Sequence, residues 1–280
     1  MRIQLVPNGD NPLACETARM LADALPSHGH EVAMAPDDAS ACGIEAVSGP
    51  ASAAGLVVAL GGDGTVLRAA HSLAGAAVPV LGVKLGRLGF LCGTGEMQPL
   101  DGVLAAAAGE GRIESRSTLS ATLVVGGRET GVHEALNEVF VGRGGTFRAV
   151  DLEVEVDGER LARWVCDGVV VATPTGSTAY ALSAGGPLVA PDVRAIIVVP
   201  VGPHSLVARP FVLGEGSRVV LTLPDPSRAD ASVLVDGDLL PCRSALESVE
   251  VRMGADDVLL VRLGGRGFAA SLRDTFLPDR

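Results

Sequence analysis

The chain has 280 residues, 48% hydrophobic and 20% charged, which is enough apolar material for one large core or two smaller ones and excludes a disordered chain. Its formal net charge of −11 argues against nucleic acid or an anionic membrane as partner, because phosphate contacts need clustered Lys or Arg. The five cysteines, Cys15, Cys42, Cys92, Cys166 and Cys242, are scattered without a C-x-x-C pair, which argues against a zinc site or a disulfide framework and predicts free thiols in a reducing cytoplasm.

Residues 2–7 read as an opening strand with no secretory signal before it. Ala14, Ala18, Leu21 and Leu25 then mark one face of a helix. Residues 46–62 carry no charge, but Pro50 and several glycines and serines break them, so no membrane span is expected. The run 56–60 (LVVAL) suits a buried parallel strand, followed by a Gly-rich turn, a helix through 67–73 and a strand over 78–83. This order predicts an α/β layer with a parallel sheet.

After Ile113 the pattern becomes alternating and β-branched. Strands are expected over 118–125, 135–141, 150–156, 169–173, 195–200, 217–223, 232–235 and 248–251, separated by Gly, Pro and Asp as in a sandwich. A helix over 177–183 interrupts them. Phe268, Leu272 and Phe276, four apart, form the apolar stripe of a terminal helix. The expected organisation is an α/β domain over 1–113, a β-rich domain over 114–255, and a tail over 256–280 whose helix packs back on the first domain.

Two segments carry chemistry. Gly61-Gly62-Asp63-Gly64-Thr65 lies between a buried strand and a helix. Its glycines leave the backbone free to adopt positive φ and to approach a ligand, while the helix start aims N–H groups and a positive dipole end at the same spot. This suits phosphate with one carboxylate beside it, although such turns often only reverse the chain. There is no G-x-x-x-x-G-K-[ST], so a Walker-type loop is excluded, and no G-x-G-x-x-G opens the first βα unit. The second segment runs from Asp167 to Pro187 (DGVVVATPTGSTAYALSAGGP); its hydroxyls cluster at a turn and offer donors to a polar ligand. It holds the only tyrosine, Tyr180, which suits either a core ring or a flat surface beside a nucleobase or ribose.

Together with Asn137-Glu138 in ALNEV, these segments resemble the NAD kinase family, and GVKLGRLGFL (residues 82–91) and PHSLVARP (203–210) are similar to further family segments. The likeness spans roughly residues 2–277. The GGDG turn alone also fits diacylglycerol and sphingosine kinase relatives; the long second motif favours NAD kinases.

The resemblance implies an N-terminal α/β domain and a C-terminal β-rich domain with NAD between them, a divalent metal (Mg²⁺), ATP or polyphosphate as phosphate donor, and a cytoplasmic homodimer or homotetramer. It implies phosphorylation of the 2′-hydroxyl of the adenosine ribose of NAD to give NADP. Asp63 falls on the family's catalytic carboxylate, with Gly64 and Arg68 near it in the NAD site. Asn137 and Glu138 fall on the pair that holds ribose hydroxyls. Asp167 and the run Thr178, Ala179, Tyr180, Ala181, Leu182 and Ser183 match NAD-contacting positions, as do Arg148 and Asp238. Gly61, Gly62, Gly64 and Thr65 would carry the donor phosphates.

Two positions depart from the family pattern. Lys84, the only lysine, stands where members usually have Asn, and Trp164, the only tryptophan, closely precedes Asp167 and suggests an altered pocket. Two alternatives follow: a paralogue acting on NADH or another adenosine-containing nucleotide or nucleoside, and an inactive NAD(H)-binding sensor. A lipid kinase is disfavoured, since no basic amphipathic surface is evident.

Overall fold

In the computed structural model, the apolar runs of the first third form parallel strands joined by helices, and the alternating runs that follow form two antiparallel sheets. The structure describes residues 1–45, 49–86, 89–95, 97–146, 148–227, 229–241, 246–264 and 267–276. Cys242, residues 46–48, residues 87 and 88 of GVKLGRLGFL, and residues 277–280 of the expected tail lie outside these.

The chain runs through β1 (Arg2–Pro7), α1 (Pro12–Ala24), β2 (Glu31–Met34), α2 (Pro36–Cys42), β3 (Leu56–Gly61), α3 (Asp63–His71), β4 (Val80–Lys84), α4 (Pro99–Ala107) and β5 (Arg112–Arg116). Then come β6 (Leu119–Val125), β7 (Arg128–Glu129), β8 (His133–Ala135), β9 (Glu138–Arg143), β10 (Val150–Val156), β11 (Glu159–Cys166), β12 (Gly168–Ala172) and α5 (Tyr180–Ser183). It continues with β13 (Ala195–Val201), β14 (Phe211–Gly214), β15 (Val219–Thr222), β16 (Ala231–Val235), β17 (Asp238–Leu239), β18 (Leu246–Met253), β19 (Val258–Arg262) and α6 (Phe268–Phe276). Two compact units result: residues 1–116 together with the segment from 256 onward, and residues 117–255.

The first unit holds a sheet of order β2-β1-β3-β4-β19-β5, parallel except where β5 runs against β19. α1 starts where the Asn11 side chain accepts from Leu13 N–H and Pro12 supplies a preset φ. Its stripe, Ala14, Ala18 and Leu21, is buried against Ile3, Leu5, Leu56 and Leu60 of the sheet. The segment after 256 brings a strand as well as a helix, because β19 enters the sheet between β4 and β5. β2, α2 and α4, which weak periodicity hid, complete the layer.

In the second unit, one sheet has the order β11-β10-β15-β18-β6-β7, with β8 also on β6, and the other the order β14-β13-β12-β9-β16-β17. Period-2 alternation sends Leu123, Leu152, Val169, Val171, Val198 and Val249 into one shared core. Val170 and Ala172, on the opposite face of β12 beside their cross-strand neighbours Val199 and Ile197, are covered by Ala181 of α5. Burial of both faces is why β12 reads as an unbroken apolar run.

Several expected boundaries shift. The helix expected over 67–73 is α3 and begins at Asp63. The strand expected over 135–141 is broken into β8 and β9 around Leu136 and Asn137, and the helix over 177–183 is a 3-10 turn, Gly176–Thr178, followed by the one-turn α5. Among the described residues, no helix is long and apolar enough to cross a membrane.

Candidate active site

In the first unit, β3 delivers the chain to a tight entry into α3. Gly61 and Thr65 are packed against each other: a β-carbon on Gly61 would lie 2.3 Å from Thr65 Oγ1. Gly62 and Gly64 are exposed, and a β-carbon on either would meet nothing within 4 Å. The four positions expected to carry donor phosphates therefore split, two sealing the floor of the turn and two leaving open space above it. The expected positive φ is not found at Gly61, Gly62 or Gly64; Gly62 is extended at φ −104°. Room, rather than a left-handed backbone, is what these glycines supply.

Asp63 occupies the first turn of α3, where a carboxylate complements the helix dipole. Its two oxygens are held by backbone donors from the segment after β4: Phe90 N–H to Oδ2 at 2.8 Å and Leu91 N–H to Oδ1 at 3.0 Å. Beside it, burial and then the Asp63 charge push the Cys92 thiol up to about 12, so it is a neutral packing group. Arg68 pairs with Asp38 at 2.7 Å and donates to the Pro7 carbonyl. Lys84 is exposed at the end of β4, in register with Gly61 of β3.

The second unit gathers another polar cluster where β9 begins. Asp236 and Gly237 both take positive φ, 48° and 90°, and form the two-residue turn between β16 and β17. That turn aims the Asp236 carboxylate at three consecutive backbone N–H groups: Leu136 and Asn137 at 2.7 Å and Glu138 at 2.9 Å. Burial first, and then the neighbouring Asp236, raise Glu138 to about 7, although a backbone hydrogen bond from Tyr180 opposes them. Glu138 Oε2 is buried with no hydrogen-bond partner among the described residues.

Three hydroxyls of the Thr-Pro-Thr-Gly-Ser-Thr turn donate to backbone carbonyls. Thr173 Oγ1 donates to Leu136 O at 2.6 Å and accepts from Gly176 N–H, and Ser177 Oγ donates to Pro174 O at 2.6 Å. Thr178 Oγ1 donates to Thr175 O at 3.2 Å. These bonds shape the turn and leave hydroxyl lone pairs as acceptors. Gly176 lies so near Asn137 that a β-carbon would stand 2.1 Å from its carbonyl oxygen, which locks this turn onto the Asn137-Glu138 corner.

Tyr180 is 39% exposed and meets Phe140 edge to face, with ring centroids 5.3 Å apart. Burial first and then the Asp167 charge raise its phenol, with Glu138 adding to the rise and Arg143 opposing it. Asp167 is paired with Arg143 at 2.9 Å. Glu138, Asp167 and Tyr180 thus come together. Of the rest of the run, Ala181 is buried and Ser183 exposed, with Thr178, Ala179 and Leu182 between. Arg148 and Asp238 are exposed. Trp164 is buried in the sandwich core against Phe211, so it does not line an altered pocket. Asp236, Phe140 and Arg143 stand outside the residues the sequence pointed to, and residues 89–91 lay in a family-like segment with no role attached. Only the Asp-Gly turn signal at 236–237 could have flagged the first.

Two family models match this chain: the ATP-NAD kinase N-terminal domain over residues 45–109 and the ATP-NAD kinase C-terminal domain over 136–263. An NAD kinase of Mycobacterium bovis is 42% identical over 248 residues, 85% of this chain and 79% of the relative. One of Heliobacterium modesticaldum is 39% identical over 285 residues, 99% of each chain. The chain belongs to the NAD kinase family.

Solved structures agree with this membership. Yeast NADH kinase complexed with NADH superposes with a TM-score of 0.84 at 26% identity, covering 98% of this chain and 87% of that one. An Archaeoglobus fulgidus NAD kinase in complex with ATP shares the fold at a TM-score of 0.75 and 24% identity, covering 99% and 97%. The family's N-terminal model spans Asp63 and residues 89–92, and its C-terminal model spans Asn137, Glu138, Asp167, Tyr180 and Asp236.

Proposed function

We propose that this phosphotransferase moves the terminal phosphate of ATP onto the 2′-hydroxyl of the adenosine ribose of NAD, giving NADP. The observation that carries the reading is the Asp63 carboxylate, fixed through both oxygens by Phe90 and Leu91 N–H, beside the open positions of Gly62 and Gly64. Phosphoryl transfer asks mainly for alignment and charge neutralisation. A carboxylate that cannot rotate away suits both orienting a hydroxyl and accepting its proton late in the transfer. The remaining lone pairs of Asp63 are free for that contact.

Gly62, Gly64 and the first N–H groups of α3 would receive the donor phosphates, and Lys84, across the register from Gly61, would add a positive charge there. Mg²⁺, when bound, neutralises phosphate charge. Among the described residues no three His, Cys, Asp or Glu side chains gather as a ligand set, so Asp63 is the carboxylate this turn offers the ion and the donor's phosphates would be its main ligands. Polyphosphate would fit the same open turn.

In the β-rich unit, Glu138 Oε2 and Asn137 would take ribose hydroxyls, Tyr180 would present its exposed ring to the nucleotide, and Asp167 would accept from it. The similarity to an NAD kinase and to an NADH kinase complexed with NADH supports NAD or NADH as acceptor. A homo-oligomer and a cytoplasmic location are part of the same proposal. Asp63→Asn tests it: turnover should fall by about 10²–10⁴ with NAD still bound, and near-normal turnover would sink the assignment.

A further inference from the structure

The Asp63 carboxylate is held by backbone groups of a segment that lies outside regular secondary structure, so something must hold that segment. β19 does, through one side chain. Arg262, its last residue, has a side chain only 13% exposed. It donates from Nη2 to the Phe90 carbonyl at 2.7 Å and from Nη1 to the Cys92 carbonyl. Its Nε donates to Glu114 Oε2 at 3.0 Å. Burial would raise the Glu114 carboxyl, but Arg116 and Arg262 outweigh it and hold it below the usual range, so Arg262 has a charged partner.

The Phe90 carbonyl and the Leu91 N–H belong to one planar peptide and point in opposite directions. Arg262 pulls on one end of that plane and Asp63 accepts from the other. A cation on the carbonyl polarises the amide and strengthens its N–H as a donor. Just downstream the backbone is pinned again at Gly93, whose N–H donates to Gly82 O at 2.8 Å and whose carbonyl accepts from Leu263 N–H at 3.0 Å. A β-carbon on Gly93 would stand 1.9 Å from Val261 O.

We infer that Arg262 is a positioning residue for the transfer, acting through the Phe90–Leu91 peptide to set where the Asp63 carboxylate stands. The inference rests on the reading of Asp63 as the group that orients the hydroxyl. It assigns the β19 side chain a role in turnover beyond closing the sheet. A lysine could keep a charge over Glu114 but not the fork that spans two carbonyls.

The test measures kcat, KM for NAD and thermal midpoint for Arg262→Lys and Arg262→Ala, with Asp63→Asn in parallel. Arg262→Lys should lower kcat about 10- to 100-fold, the scale for a misplaced catalytic group, with KM for NAD within about twofold. Added guanidinium should restore part of the kcat of Arg262→Ala. A folded Arg262→Lys enzyme with wild-type kcat, while Asp63→Asn is silent, overturns this inference alone. Normal turnover of Asp63→Asn instead removes the reading beneath it.

Discussion

A β-carbon on Gly89 would lie 2.2 Å from Asp63 Oδ1, closer than any side chain can stand, so residue 89 must be glycine for the carboxylate to dock on the backbone that follows. Gly89→Ala should therefore displace the carboxylate without opening the core. We expect kcat to fall at least about tenfold with the thermal midpoint nearly unchanged, because ångström-scale misplacement of a reacting group is costly. Steady-state kinetics with a melting curve checks this.

The two kinds of glycine in the turn should separate in the same assays. Gly61→Ala drives a methyl into Thr65 and should destabilise the fold by about 1–3 kcal/mol. A β-carbon on Gly62 meets nothing within 4 Å, so Gly62→Ala should leave stability near wild type while raising KM for ATP if the donor phosphates sit there as proposed.

Glu138 gives a pH prediction with a definite sign. Its folded value of about 7 exceeds the ordinary 4.5, so the native state holds the proton more tightly than the unfolded chain. Its favourable contribution is full below about 4.5 and is lost as pH rises through about 7, a change of at most about 3 kcal/mol. Glu138→Gln should thus gain stability relative to wild type between pH 5 and 8, read by denaturation at each pH. If the ionised carboxylate takes ribose hydroxyls, kcat/KM for NAD should fall below about pH 7, and that limb should vanish in Glu138→Gln.

Asp236→Asn keeps a residue tolerant of φ 48° but replaces two strong acceptor oxygens with one weaker one against three N–H groups. We expect a loss of about 1–3 kcal/mol in chemical denaturation. The pH inflection assigned to Glu138 should move toward the ordinary carboxylate range, since Asp236 is one of the charges that raise it.

The strands were legible wherever one physical cue dominated. LVVAL at 56–60 became β3, and the alternating runs became the sandwich, because burial on two faces or one writes itself into the period. The start of α3 was hidden by Gly62 and Gly64, poor helix formers, and is set instead by the docking of Asp63 on residues 90 and 91. Trp164 was misplaced by nearness to Asp167 in sequence. The alternation of Trp164 and Cys166 with Arg163 and Val165 pointed to a core-facing strand, β11. Asp63 and Glu138 stood out through family motifs. Asp236 and Arg262 did not, because their partners lie about 100 and 172 residues away and only the sheets bring them together.

Transfer to the 2′-hydroxyl of NAD, with Asp63 as the orienting carboxylate, can be measured directly. The direct measurement incubates the full chain, or its Asp63→Asn variant, with Mg²⁺, ATP and NAD, and identifies products by mass and by the position of the new phosphate. The expected product is NADP phosphorylated on the adenosine ribose, formed about 10²–10⁴ times more slowly by the variant. Binding of NAD without any phosphate transfer, or equal rates for the two proteins, would contradict it.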